Sequence, residues 1–235
     1  MYNDWHVPEN ESDVSMLDFC LGNDRQSDDW HDGFIDWLDN FWSASYFRTC
    51  LDIGANIGCT TLPFARRFKQ VHSFEMQPQV FECLVKNCQD YDNIELYKVA
   101  VTESTGTGFY SSQAQGSGHA FVHPHISNRN LNKRLAKFKD EETVTHETKT
   151  MSLDDHTWWG IDFIKIDVEG AELRVLDGAR STIMHHKPMI MVERHCSRHQ
   201  DDVALRKKFF DYIKCIGYRI EDIRSADFLL VPDKY

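Results

Sequence analysis

The sequence predicts an α/β fold, a mainly parallel sheet with one reversed strand and helices on both faces. Three observations lead there. Short apolar runs alternate with helical patterns through most of the chain. The last two runs, Tyr218 to Ile223 and Phe228 to Val231, lie too close together for a crossover helix and must pair as an antiparallel hairpin. Asp52, Glu75, Ala100, Asp167 and Glu193 all fall at the carboxyl ends of predicted strands, where open α/β sheets bind their ligands.

The elements follow in order. Residues 1–28 are polar and aperiodic and read as an extended or loosely packed arm. From Trp30 onward, Phe34, Trp37, Leu38, Phe41 and Trp42 recur at helical spacing. This aromatic stripe suits either packing across the sheet edge or closure of a substrate pocket. Residues 1–48 thus form an acidic arm with an aromatic helix, and 49–235 form the main domain. There the pattern reads strand 50–53, helix 59–68, strand 70–75, helix 78–90 and strand 94–99, with Pro78 suited to a first helical turn. Gly106 to Ser111 reads as an extra strand, followed by a polar stretch to about Thr148. Strand 162–168, a helix through Arg180, strand 189–193 after Pro188 and helix 201–215 complete the alternation. No internal repeat is visible.

Composition narrows the function classes. The 235 residues suit one α/β domain, with no apolar run of about eighteen residues and a polar start, so neither a membrane span nor a secretory leader is expected. A cytoplasmic location follows from that reading. The seven cysteines are scattered, odd in number and without paired Cys-x-x-Cys spacing, which argues against zinc. They read as buried reduced thiols, with Cys50 and Cys59 flanking the glycine loop as small apolar residues. Net charge is −11, and residues 1–48 hold eleven acids against Arg25 and Arg48, leaving the rest close to neutral. Neither part offers the broad basic face that nucleic acid requires.

The chemistry is written in Cys50-Leu-Asp-Ile-Gly-Ala-Asn-Ile-Gly58. A strand runs into a tight turn where Gly54 has no Cβ in the way, and Gly58 lets the next helix begin close to a ligand. The backbone of Gly54, Ala55 and Asn56 would approach that ligand, and Asn56 tolerates a positive φ. About twenty residues on, Glu75 closes the second strand as an acceptor for a ribose diol. Dinucleotide sites favour Gly-x-Gly-x-x-Gly and place a pyrophosphate on the helix N-terminus. Asp52 would repel a pyrophosphate, yet it can accept from an α-ammonium group, directly or through water. That favours S-adenosylmethionine over a dinucleotide.

The residues then carry a resemblance. Asp52-Ile-Gly-Ala-Asn-Ile-Gly58, Phe74-Glu75 with Pro78, Val99-Ala100-Val101, Leu153-Asp154, Ile164-Lys-Ile-Asp-Val-Glu-Gly-Ala-Glu172 and Met191-Val-Glu193 look like the FkbM family of methyltransferases, in order from about 49 to 232. The resemblance implies a Rossmann-like class I methyltransferase fold with a seven-stranded sheet. It also implies O-methylation of a hydroxyl on a sugar, a glycan or a sugar-bearing small molecule. Met76 would line the adenine side, with Ala100 and Val101 as an adenine wall; Met76-Gln77 departs from the Pro-Asn that relatives usually carry.

Methyl transfer to a hydroxyl asks mainly for alignment, helped by a base or by a metal that lowers the acceptor pKa. Asp167, at a strand tip, is the chief candidate as base or metal ligand, and Glu169 is expected to cap the next helix or brace the loop before Gly170. Glu172 reads as a solvated or capping acid in the first helical turn. Lys165 is either a buried structural partner or part of the site. Glu193 and His195 end the next strand, and with Asp167 they could hold Mg²⁺ or Mn²⁺. Alternatively His195 acts without metal as a base oriented by Glu193. His119, in Gly116-Ser-Gly-His119, is a further candidate base on a substrate loop. Arg129, Lys133, Arg134, Lys137 and Lys139 form either a solvated face or a receptor for an anionic glycan. Rival readings are a nicotinamide oxidoreductase, a non-catalytic binding module, and a methyltransferase of a lipid, polyketide or peptide acceptor. Homo-oligomerisation is compatible with all of them.

Overall fold

The computed structural model describes residues 5–8, 47–113, 121–123, 143–193, 203–222 and 227–233. The aromatic stripe at Phe34 to Trp42, the candidate bases His119 and His195, His199, and the basic run Arg129 to Lys139 lie outside the described residues.

Chain order opens β1 (Thr49–Ile53), α1 (Thr61–Ala65), β2 (Gln70–Phe74), α2 (Pro78–Asn87), β3 (Ile94–Tyr97), β4 (Ala100–Val101), β5 (Gly106–Gln113), β6 (Phe121–His123) and β7 (Thr143–Met151). It continues with β8 (Ile161–Ile166), α3 (Glu172–Gly178), α4 (Arg180–His186), β9 (Met189–Glu193), α5 (Val203–Cys215), β10 (Tyr218–Asp222) and β11 (Asp227–Pro232). The main sheet has seven strands in the order β10-β11-β9-β8-β1-β2-β3. Its pairs are parallel from β9 to β3, and β11 runs antiparallel to both neighbours. The hairpin and the single reversed strand are therefore as the sequence predicts.

The central strands read as unbroken apolar runs because both faces are covered: β1 and β8 are buried at every position. Side chains alternate between two layers. Leu51, Ile53, Ile164, Ile166, Ile190 and Val192 face one cluster, shared with Val175, Leu176, Ile183, Phe209 and Ile213 of the helices. Cys50, Phe163, Met189 and Met191 face the other, with Phe64 and Phe68 beside α1. Each such side chain, fully removed from water, contributes about 1.5–3 kcal/mol. Asp52 and Lys165 continue the second layer by their parity, so charge replaces hydrocarbon only at the strand tips.

Several expectations need correction. The polar stretch after Ser111 is not all loop: β5 pairs with β6 and β7, and β7 with β4, in a separate four-stranded sheet. Thr143–Met151 escaped notice because it has no apolar face; Thr145, His146 and Glu147 are exposed. Ala100 consequently starts a strand of this second sheet and does not end one of the first. The helix expected over 59–68 is only α1, its start tied down by side-chain bonds described below. The helix expected through Arg180 breaks at Ala179 into α3 and α4. Strand β8 stops at Ile166, so Asp167 lies in the loop beyond it.

Cys50, Cys83, Cys88 and Cys215 are free thiols, whereas Cys59 is disulfide-bonded. That overturns the reading of a wholly reduced set, because linear spacing does not reveal which scattered cysteines a fold brings together. No described helix is long and apolar enough to cross a membrane.

Candidate active site

The glycine loop is held by the strand tips on either side of it. The amides of Gly54 and Ala55 both donate to the Phe74 carbonyl, at 3.0 and 3.0 Å, and Asp167 donates to the Ile53 carbonyl at 3.0 Å. Gly54 has φ 80°, and a Cβ there would lie 1.8 Å from the Asp167 carbonyl oxygen. Only glycine allows β1 and the loop after β8 to meet so closely. Asn56 adopts φ 51°, as its identity suggests. Its amide donates to Glu75 Oε2 at 3.1 Å, and its side-chain oxygen accepts from Ile57 N–H at 2.7 Å. Gly58, with φ 105°, has a packing reason to lack a side chain: a Cβ there would press on Leu84 Cδ1 at 3.1 Å, so the residue also admits α2.

Beneath the loop sits a buried charge cluster. Asp52 is fully buried, and its Oδ2 accepts from the hydroxyls of Thr60 and Thr61 at 2.9 and 2.7 Å. Asp52 Oδ1 is the buried side-chain polar atom without a hydrogen-bond partner among the described residues. Lys165 Nζ lies 3.5 Å from it, 3.3 Å from Asp167 Oδ2, and donates to the Gly54 carbonyl at 2.9 Å. Burial alone would lower the Lys165 ammonium, but the charges of Asp167 and Asp52 more than reverse this and hold it above its ordinary value. Lys165 is thus buried and paired with carboxylates, one beneath the loop and one at its rim. Thr60 and Thr61, eight and nine residues after Asp52, were missed, although paired hydroxyls at a helix start behind a strand-end acid are a readable signal.

Glu75 is 7% exposed, and its Oε1 accepts from Gln77 N–H at 2.8 Å. Burial pushes its carboxyl up to about 7, against the amides of Gln77, Asn56 and Met76, which pull it down. Met76 follows directly and is half-buried. Val101 packs in the same apolar cluster as Ile53 and Phe74, with Ala100 buried beside it.

Asp167 and Glu193 converge as expected, and Glu169 joins them: one oxygen from each lies within 4.8 Å of the others. All three are partly exposed at the sheet's carboxyl edge. Three such oxygens could hold a divalent cation or position a proton acceptor. The roles of the two glutamates are exchanged relative to expectation. Glu172, fully buried and not solvated, accepts from Gly170 N–H at 2.6 Å and braces the loop. Glu169, at φ 54°, joins the acid group instead.

A buried Asp52–Lys165 cluster beneath the glycine loop, Glu75 beyond β2 and acids beyond β8 and at the end of β9 gather at one edge of a seven-stranded, mostly parallel sheet of class I methyltransferase type. The comparisons with known proteins agree. The model of the methyltransferase FkbM domain matches residues 52–220. The chain belongs to the FkbM methyltransferase family, a family of S-adenosylmethionine-dependent methyltransferases. The solved methyltransferase FkbM from Methylobacillus flagellatus is 20% identical with a TM-score of 0.51, covering 77% of this chain and 43% of its own. The present chain thus spans less than half of that relative, and the likeness shows the fold. A precorrin-6y C5,15-methyltransferase from Geobacter metallireducens is 12% identical (TM-score 0.40, 80% of this chain and 84% of that one). Fibrillarin from Aeropyrum pernix, solved with natively bound S-adenosyl-L-methionine, is 13% identical (TM-score 0.43, 79% and 66%). No curated protein matches the chain significantly.

Two predictions follow from the buried charges. Lys165→Met leaves the Asp52 carboxylate buried without its cation, and urea unfolding is expected to show a loss of about 3–5 kcal/mol. Glu75 gives the second. Its folded pKa of about 7 lies above the unfolded value near 4.5, so the native state retains a proton that the unfolded state releases between them. Stability contributed by this group is therefore full below about pH 4.5 and falls as pH rises to 7, by about 3 kcal/mol in total. Subtracting the Glu75→Gln stability curve from the parent's between pH 4.5 and 7 should isolate that slope; parallel curves would refute it.

Proposed function

We propose that this chain transfers the methyl group of S-adenosylmethionine to a hydroxyl of a sugar, a glycan or a sugar-bearing small molecule. The observation that carries the reading is the convergence of the Asp52–Lys165 cluster, Glu75 and the Asp167–Glu169–Glu193 acids on one loop. Glu75 would accept from the ribose hydroxyls, and the buried charge of Asp52 beneath the loop would favour the amino-acid ammonium through a bridging water. When bound, S-adenosylmethionine supplies an electrophilic methyl carbon on a good leaving group. The chain's own task is to bring a hydroxyl into line and take its proton. Asp167 is the proposed acceptor of that proton at a carboxylate oxygen, with its other contact to Lys165 fixing the side chain. Glu193 and Glu169 would orient the hydroxyl from the same edge. The 4.8 Å grouping also favours a second arrangement, in which these three acids hold Mg²⁺ or Mn²⁺ in place of the Asp167, Glu193 and His195 set.

Calorimetry with S-adenosylhomocysteine tests the donor, and transfer of labelled methyl to a panel of saccharides tests the acceptor. Affinity for the homocysteine product should rise about tenfold per pH unit up to pH 7 and then level, because the ribose hydroxyls donate to ionised Glu75. A flat profile, or no binding, would refute the Glu75 assignment. Asp167→Asn is expected to lower kcat by about 100-fold with product affinity nearly unchanged. Loss of turnover on chelation, restored by Mg²⁺ or Mn²⁺, would select the cation arrangement of the same acids.

A further inference from the structure

Over Trp5 to Pro8 the N-terminal segment, expected as an extended or loosely packed arm, is extended and packed on the domain. Trp5 and Val7 pack against Ile57, Cys59, Val80 and Cys83, while His6 between them is exposed. That alternation is the period of an extended chain laid on a surface. What seats it is one side chain, Asn87, the last residue of α2. Asn87 Oδ1 accepts from His6 N–H at 2.8 Å, and its Nδ2 donates to the His6 carbonyl at 3.0 Å. The amide thus pairs with both backbone groups of one residue, as a neighbouring strand would. The second hydrogen on Nδ2 goes to the Ile57 carbonyl at 2.9 Å, inside the glycine loop.

Ile57 is the part of that loop most in need of support. It is buried and β-branched, and it stands one residue from Asn56 at φ 51° and Gly58 at φ 105°. Backbone in such regions persists when surrounding contacts over-determine it. The contacts form an unbroken series: His6 backbone to Asn87, Asn87 to the Ile57 carbonyl, Ile57 N–H to Asn56 Oδ1, and Asn56 N–H to Glu75 Oε2.

We propose that Asn87 is a positioning residue for the cofactor loop, clasping the Trp5–Pro8 segment and the Ile57 peptide together so that seating of the segment and donor affinity are coupled. The inference rests on the S-adenosylmethionine reading above and adds a residue and a segment outside the contacts assigned there to donor and acceptor. Asn87→Asp keeps the size and the acceptor for His6 N–H, but sets oxygen against the two carbonyls that Nδ2 served. Losing two hydrogen bonds should weaken S-adenosylhomocysteine binding tenfold or more by calorimetry. The same variant should raise KM for the donor in proportion while kcat at saturating donor stays within about twofold. Val7→Asp, which unseats the segment and leaves Asn87 intact, should weaken binding in the same sense.

Hydrogen exchange of the parent chain gives a readout independent of any variant's folding. S-adenosylhomocysteine should slow exchange of the His6 and Ile57 amides together. If the parent binds S-adenosylhomocysteine and Asn87→Asp binds it equally well, or if exchange at His6 ignores the ligand, the coupling is wrong and the donor reading stands. A parent chain that binds no adenosyl ligand overturns both.

Discussion

The contact on which the rest of the site depends is the one between Lys165 and the tips of β1 and β8. Its ammonium reaches Asp52, Asp167 and the Gly54 carbonyl at once. Asp52 stands where the apolar layer of Cys50 and Phe163 would otherwise continue, and it is fully buried. An isolated carboxylate in that position would be neutralised or would unfold its surroundings. The lysine makes the charge tolerable: two threonine hydroxyls occupy one oxygen, and the other lies 3.5 Å from the ammonium itself. A lysine also needs room to thread between strands, and the absent Cβ at Gly54 brings β1 and the Asp167 backbone close enough for one ammonium to serve both. The glycine and the lysine are therefore a single device, although they are 111 residues apart.

Much of this arrangement was legible in the chain because it rests on local rules. Strands covered on both faces read as continuous apolar runs, and a hairpin follows from two runs with no space for a helix between them. Acids at strand ends stand out against such runs, so Asp52, Glu75, Asp167 and Glu193 were readable. What stayed hidden depended on tertiary contact. The second sheet has strands whose Thr, His, Glu and Lys side chains carry no apolar signature, and only pairing across it reveals them. Glu169 and Glu172 are three residues apart and chemically alike. The loop's left-handed turn at Glu169 and Gly170 decides which of them braces the backbone and which faces the acids. Gly58 also makes room for Leu84, a contact between the glycine loop and α2 that no local pattern encodes.

The Glu75 carboxyl shows the cost of building a binding site inside a core. Its side chain is buried between β2 and the loop, and burial raises its pKa in spite of three backbone amides. A more exposed glutamate would be easier to ionise, but it would bind a ribose in competition with water. Here the amides of Asn56 and Gln77 fix both oxygens before any ligand arrives. The carboxylate is preorganised at the expense of stability near neutral pH. Active sites commonly concentrate strain of this kind, and the surrounding sheet is what tolerates it.

The same logic extends to the acids at the rim. Three carboxylates with oxygens inside 4.8 Å repel one another, by about 3.5 kcal/mol for a fully charged pair at that distance and an effective dielectric near 20. Lys165 offsets part of this through Asp167, and its charge is already shared with Asp52. The three acids place negative charge at the rim, beside the glycine loop. A site so charged gains from any cation that settles there, whether a sulfonium, a divalent ion or a proton taken from an acceptor hydroxyl. It would penalise a pyrophosphate for the same reason. The charge pattern, more than the loop itself, separates a methyl-donor site from a dinucleotide site on the same topology, and Lys165 sets how strong that distinction is.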